Sequence, residues 1–303
     1  MNKFLLNKGY KVIKNAIPNQ LLDNVVNVIA ERFCDITKIE LKNKPLISSK
    51  ISKEFYENLV NLRIKDPKLF GFLYDSIQSS VALHQLLTYK KLIKKLSDLT
   101  DTPQELFSTS GHIQRIDLPT DKKNLYSWHQ ETSYYRQNSL GKNCYFIWIP
   151  FFDVTKNKGS VCLAEKSHFK GYLKTKVLKK SDVSSEQRNI SSKELKNYRF
   201  IQPKLSRGDA CVIHFNTIHR SGADTTNTMR LTAIGRYHYA KAPEFKPFRY
   251  KYKLNELLAK NKNYEVHAVR FKRPAYKTSE NVKWHKVDLR NSNSVDKLIK
   301  GMD

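Results

Sequence analysis

The chain has little that would cross-link, export or anchor it. Its 303 residues include four cysteines, Cys34, Cys144, Cys162 and Cys211, and no two of them form a C-x-x-C pair. In a chain of this size that spacing speaks against a disulfide framework. Cys144, Cys162 and Cys211 lie in apolar runs and read as small buried hydrophobes rather than nucleophiles. No apolar stretch approaches the roughly 20 residues needed to cross a bilayer. The opening Phe4-Leu5-Leu6 cluster is broken at once by Asn7-Lys8, so it lacks a signal-peptide core. These absences lead us to expect a soluble, cytoplasmic protein. Acidic residues are also scarce, 28 against 55 Lys and Arg, for a net charge of +27. Such charge attracts polyanions. The lysines are dispersed, however, and Lys90-Lys91, Lys94-Lys95 and Lys179-Lys180 are short runs without interleaved aromatics. That pattern suits a solvated surface better than a nucleic-acid footprint.

Internal repeats and low-complexity linkers are missing too, and 40% hydrophobic content suffices for a sizeable core. The expectation is one domain spanning 1–303. Its first part, 1–104, reads as mainly helical. Tyr10, Val12 and Ile13 are strand-like, Pro18 suits a helix start, and Leu21, Leu22, Val25, Val26, Val28, Ile29 and Phe33 then recur at helical spacing. Residues 52–97 carry a second helical apolar set. From about residue 105 short runs rich in β-branched and aromatic residues alternate with turn chemistry: 111–116, 145–152, 159–163, 210–215 and 229–239. Helices followed by many short strands predict a mainly β fold, a jelly roll with flanking helices, over 105–240. Residues 170–200 read as a long insertion that could serve as a lid. The tail 241–303 holds 16 Lys and Arg against 7 Asp and Glu, but enough aromatics, Trp284 among them, to pack on the core.

One constellation carries chemistry. In Ser127-Trp128-His129-Gln130-Glu131, residues 129 and 131 project from the same face of an extended chain, placing a nitrogen and an oxygen donor side by side. His219 follows 88 residues later, beyond the apolar run Cys211 to Phe215. Two histidines and one carboxylate on one face of an octahedral ion leave three positions open, the arrangement of Fe(II) oxygenases. Arg230, 11 residues after His219, could clamp a carboxylate through two parallel bonds, and Ser221 could add a hydroxyl donor. Tyr134, Tyr135 and Arg136 follow the first ligands and could face substrate. Arg236 and His238 share a strand face with Arg230 and could meet an anion. His214 and His168 read as supporting rather than ligating histidines.

Trp128-His129-Gln130-Glu131, Trp148, Asn157-Lys158-Gly159-Ser160, Lys166-Ser167-His168-Phe169-Lys170-Gly171, Gly208-Asp209, His219-Arg220-Ser221-Gly222 and Arg230 occur in that order. With Gly9-Tyr10-Lys11-Val12-Ile13 they resemble the phytanoyl-CoA dioxygenase family over roughly residues 8–240. The resemblance implies a double-stranded β-helix (jelly roll, cupin-like) with Fe(II), and 2-oxoglutarate and O2 as co-substrates. It implies metal ligands at His129, Glu131 and His219. It also implies an anchor for the acid at Arg230, with Ser221, Trp148 and, more loosely, Gln114 in the same pocket. The sequence departs from the family at Glu131, where aspartate is commoner. The carboxylate there also argues against halogenation, which needs a small residue at that place. Ala164-Glu165-Lys166 replaces the usual Pro-Gly turn. The expected function is hydroxylation of a small metabolite, for which the basic charge favours an anionic one, with release of succinate and CO2. The alternatives are an inactive jelly-roll binding protein and a nucleic-acid-modifying oxygenase.

Overall fold

The computed structural model describes residues 7–119, 125–135, 141, 143–178, 187–222, 226, 228–243, 245, 266–270 and 282–286. They fall into two compact units, 1–247 and 248–303. In chain order the strands are β1 (Tyr10–Ile13), β2 (Leu46–Ile47), β3 (Lys50–Ile51), β4 (Phe107–Thr109), β5 (Ile113–Asp117), β6 (Cys144–Pro150), β7 (Cys162–Ala164) and β8 (Lys176–Leu178). They continue as β9 (Gln187–Asn189), β10 (Phe200–Ile201), β11 (Ala210–His214), β12 (His219–Arg220), β13 (Arg230–Tyr239), β14 (Val266–Arg270) and β15 (Val282–Lys286).

The larger sheet runs β1-β11-β6-β13-β4, with β5 also paired to β13, and every pairing in it is antiparallel. The smaller sheet runs β10-β7-β12, again antiparallel. Strand β6 explains how the layers stack. All seven residues of Cys-Tyr-Phe-Ile-Trp-Ile-Pro are buried, because both faces are covered. Tyr145, Ile147 and Ile149 point into the core shared with the helices. Cys144, Phe146 and Trp148 point the other way, into a second cluster with Val161, Leu163, Cys211 and Ile213 between the sheets. This is the expected mainly β, double-stranded β-helix architecture with helices on its outside.

The helices follow their local signals. Asn19–Thr37 buries Leu22, Val25, Val26, Ile29, Ala30 and Phe33, the stripe its periodicity implies. The stretch read as one helical region is four helices: Lys53–Lys65, Pro67–Ile77, Val81–Leu87 and Lys90–Thr100. The breaks are chemical. Ser52, Asp66 and Ser80 each accept a bond from the backbone N–H three residues on, and Pro67 opens the second helix.

The insertion at 170–200 is not the structureless loop its composition suggests. It contains the hairpin β8–β9 and a single helical turn, Ser192–Leu195. It is tied beside the first candidate ligand: Ile190 N donates to Trp128 O at 2.8 Å, and Arg188 N to the Tyr134 hydroxyl at 2.9 Å. In the second unit, β14 and β15 pair in parallel. The expected packing of the tail on the core falls largely on residues outside those described. No described helix is long and apolar enough to cross a membrane. Among the cysteines, Cys144, Cys162 and Cys211 are buried and all four are unbridged.

Burial sets an acid limit on this fold. It lowers the imidazole of His214 to about 3, helped by His168, and that of His238 to about 4, helped by Arg236. Both are therefore neutral when folded, while the unfolded chain takes up protons at the ordinary value near 6.5. Their stabilising contribution is complete above about pH 6.5 and is lost as the pH falls toward 4. Linkage puts the loss between pH 7 and pH 5 at about 2 kcal/mol for each such histidine. Urea midpoints measured across this range should fall with pH, and the fall should be shallower in His214→Asn. A flat profile would show that these imidazoles are charged in the folded state.

Candidate metal centre and its cavity

The motif His129-Gln130-Glu131 is extended through Gln130, whose φ is −111° and ψ 142°. His129 and Glu131 therefore share a side. Gln130 points away, buried, and ties down two loops: its side-chain amide donates to Gly171 O at 2.8 Å and Asn216 O at 2.7 Å, and its carbonyl accepts from Leu173 N at 2.8 Å. Neither donor sits within a long strand. His129 forms a single bridge with His219, N to O at 2.9 and 2.8 Å, and Glu131 opens a short 3-10 turn. His219 lies on β12, so that bridge joins the two histidines across the edge of the smaller sheet.

The tautomers are set by the backbone. His129 Nδ1 is 2.6 Å from Ser127 O, and His219 Nδ1 is 2.9 Å from Thr217 O. A carbonyl can only accept, so each Nδ1 carries the proton and each Nε2 presents a lone pair. Those Nε2 atoms lie 3.9 and 3.5 Å from Glu131 Oε2. One donor atom from each of the three buried residues falls within 4.8 Å of the others. Burial, together with His219, lowers His129 to about 3, keeping it an unprotonated ligand. Burial works against the Glu131 carboxylate, but the Arg236 guanidinium leads the interactions that outweigh it and hold the acid well below its ordinary range. The nitrogen and oxygen donor set and its two-plus-one composition fit Fe(II).

The donors open into a cavity of about 170 Å³. Its walls include Trp148, Ser221, Arg230, Arg236, Tyr134 and Tyr135, all expected from the sequence, and also Arg115, Tyr126, Phe146, Arg220 and Ile234. Ser221 Oγ accepts from Tyr126 N at 3.0 Å, which leaves its own proton to donate. Gln114 is not in this wall. On β5 it is Ile113 and Arg115 that face the cavity, and strand alternation turns Gln114 toward the helical layer, where its backbone meets the side chain of Gln78. The looser match at Gln114 therefore falls one residue away from the cavity face.

Arg230 lines the cavity but is already engaged. Its Nε and Nη2 donate to Asp117 Oδ2 at 3.1 and 2.8 Å, and its Nη1 to the carbonyls of Gly159 and, at 3.3 Å, Gly222. The two-donor edge expected to clamp a keto acid is spent on Asp117, its cross-strand neighbour in register. Gly159 suits this packing: its φ is +69°, and a Cβ there would lie 2.5 Å from Arg230 Nη1. Burial pushes Asp117 up, but Arg115 and Arg230 more than offset it and hold it ionised.

Arg236 is the residue that sequence reasoning undervalued. It shares the strand face with Arg230, as its even spacing indicates, but its Nε donates to Glu131 Oε1. His238 does not reach the cavity. It is buried between the Ser110 hydroxyl and the Cys144 thiol, at 2.7 and 2.9 Å. His214 likewise supports the fold, accepting from Asn216 N at 3.1 Å. Arg136 lies outside the described residues.

An antiparallel double-stranded β-helix with two imidazoles and a carboxylate converging between its sheets defines the class of the non-haem iron oxygenases. The chain matches the family phytanoyl-CoA dioxygenase (PhyH) over residues 7–232 and belongs to it. It is thus a member of a family of iron- and 2-oxoglutarate-dependent oxygenases. No curated protein matches its sequence. Among solved structures, it is similar to the non-haem α-ketoglutarate-dependent epimerase SnoN of nogalamycin biosynthesis, at 15% identity over 80% of this chain and 82% of that one, with a TM-score of 0.50. It is similar to the apo form of the non-haem monooxygenase ThoJ, at 12% identity over 98% and 93%, with a TM-score of 0.53. Iron-bound EctD from S. alaskensis aligns at 11% identity over 80% and 77%, with a TM-score of 0.50. At such identities the likeness concerns the fold.

Proposed function

We propose that the protein is a 2-oxoglutarate-dependent hydroxylase of a small anionic metabolite, with Fe(II) held by His129, Glu131 and His219. The observation that carries this reading is the convergence of three buried donor atoms, both imidazoles with Nδ1 occupied and Nε2 directed to the same point as Glu131 Oε2. When bound, iron would supply the oxidising chemistry, coupling decarboxylation of 2-oxoglutarate to succinate and CO2 with oxidation of a C–H bond.

The protein's part is binding, orientation and exclusion of water. Ser221 has a proton to donate, and Arg230 has one N–H beyond its bonds to Asp117, Gly159 and Gly222; together they would anchor the far carboxylate of the acid. Trp148, Phe146, Val161 and Ile234 supply a dry apolar wall. Arg115, Arg220, Arg230 and Arg236 face the cavity against the carboxylate of Glu131, with Asp117 behind. That excess of fixed positive charge favours an anionic acid and an anionic substrate. A volume of about 170 Å³ suits a small acid and falls below the roughly 300–1,000 Å³ of pockets that engulf drug-sized ligands.

The occupied edge of Arg230 favours one second reading, a jelly-roll protein that binds iron or the acid without turnover. One titration separates the two. Metal-free protein is titrated anaerobically with Fe(II) and 2-oxoglutarate, and the weak visible charge-transfer band of the chelate is followed. Admission of O2 and assay of succinate come next. We expect a saturable band, absent in His129→Ala, followed by succinate. A band without succinate in the presence of anionic candidate substrates supports the binding protein. No band with folded protein rejects the hydroxylase and leaves a jelly-roll protein that binds at most one of the two.

A further inference from the structure

Glu131 uses its two oxygens differently. Oε2 faces the Nε2 atoms of His129 and His219, at 3.9 and 3.5 Å, while Oε1 accepts from Arg236 Nε. We propose that Arg236 is a positioning residue that holds Glu131 as a one-oxygen ligand, and so makes a glutamate workable at this position. The inference rests on the reading of His129, Glu131 and His219 as iron ligands.

Glutamate has one more methylene and one more free torsion than aspartate. Unrestrained, it can swing away from the metal or offer both oxygens to it. Arg236 removes that freedom because it is itself held on several sides. Its Nη1 donates to Gly111 O, its guanidinium carbon lies 5.0 Å from the centre of the Tyr135 ring, and its backbone is paired in β13 opposite Phe146. The slot is specific to glycine at 111. The φ there is +53°, and a Cβ would come within 2.7 Å of the Tyr135 hydroxyl. Arg236 is 6% exposed, so its bond to the carboxylate is a desolvated, charge-assisted one.

The consequence is a coordination count. A carboxylate with Oε1 engaged gives one donor, and with two imidazoles leaves three of six octahedral positions. A keto acid chelating through two atoms takes two of those, and dioxygen needs the third. A carboxylate free to bind through both oxygens would leave only two. Hydrogen-bond partners of metal ligands typically contribute 10–100-fold to metal affinity.

The test is a double-mutant cycle read by metal binding. Fe(II) affinity is measured anaerobically, with and without 2-oxoglutarate, for the full chain, Arg236→Gln, Glu131→Asp and the double variant. Arg236→Gln should weaken Fe(II) binding about 10–100-fold in the parent. In the Glu131→Asp background the shorter carboxylate is out of reach of Arg236, and the same change should alter affinity by less than about twofold. A merely structural role predicts equal losses in both backgrounds, and that result would overturn the proposal. Unchanged Fe(II) affinity with weakened 2-oxoglutarate binding would also overturn it, making Arg236 an anchor for the acid instead. If Arg236→Gln does not fold, Arg236→Lys runs the same cycle, since it keeps the charge but loses the fixed fork. A parent protein that binds no Fe(II) rejects the iron reading itself, before any variant is compared.

Discussion

His219→Ala is expected to reduce iron-dependent decarboxylation of 2-oxoglutarate to background while leaving the fold in place. The imidazole supplies one of three donor atoms, and its Nε2 lies 3.5 Å from Glu131 Oε2. Two ligands spanning only part of a face hold a divalent ion far more weakly than three. The fold survives because the link between positions 219 and 129 is made by backbone: both N-to-O bonds, at 2.8 and 2.9 Å, are available to alanine. The loss to stability comes from packing against His129 and Phe146, whose ring centroids are 4.1 and 4.7 Å from that of His219, and from the bond from Nδ1 to Thr217 O. One lost hydrogen bond of this kind costs about 1 kcal/mol. Succinate production, the chelate band and thermal melting would be followed together. Near-normal turnover in a folded His219→Ala protein would remove this cluster from consideration as the metal centre.

Replacing Arg230 by alanine should do two things at once, and the larger is structural. The change takes both bonds from Asp117 Oδ2 and strips Gly159 O and Gly222 O of a donor, all in a buried setting. Asp117 keeps Arg115 as a partner but loses half of its compensation. Removing one member of a buried ion pair costs roughly 3–5 kcal/mol. For a domain of this size that corresponds to a fall in Tm on the order of 10 °C. Binding of 2-oxoglutarate should weaken as well, since of the two groups proposed to anchor its far carboxylate only Ser221 would remain. Arg230→Lys separates the effects: it preserves a positive charge at the cavity and loses the fork that holds Asp117. A destabilised Arg230→Ala protein with unchanged 2-oxoglutarate affinity would assign Arg230 to the fold and leave the acid another anchor.

Much of the site could be read from the chain before its structure. His129 and Glu131 share a side because they stand two positions apart on backbone extended through Gln130, a local relation that tertiary contacts did not alter. Trp148 and its alternate neighbours divide between two cores for the same reason. The helical stripe of Asn19–Thr37 and the run of short strands were likewise local patterns. Gln114 lies one residue off the cavity wall, a phase that motif order along the chain does not give. The insertion at 170–200 shows little periodicity because its paired strands, Lys176–Leu178 and Gln187–Asn189, are three residues each and too short to carry a hydrophobic pattern.

What the sequence by itself determined was the donor set, its order along the chain and the architecture able to gather it, since residue type and short-range periodicity follow from local backbone geometry. Only the tertiary structure decided which charges meet. Asp117 and Arg230 are 113 residues apart, and Glu131 and Arg236 are 105 apart. A long polar side chain takes whichever partner strand register and burial bring within reach, and a buried charge left without one is costly enough that this choice shapes the whole site.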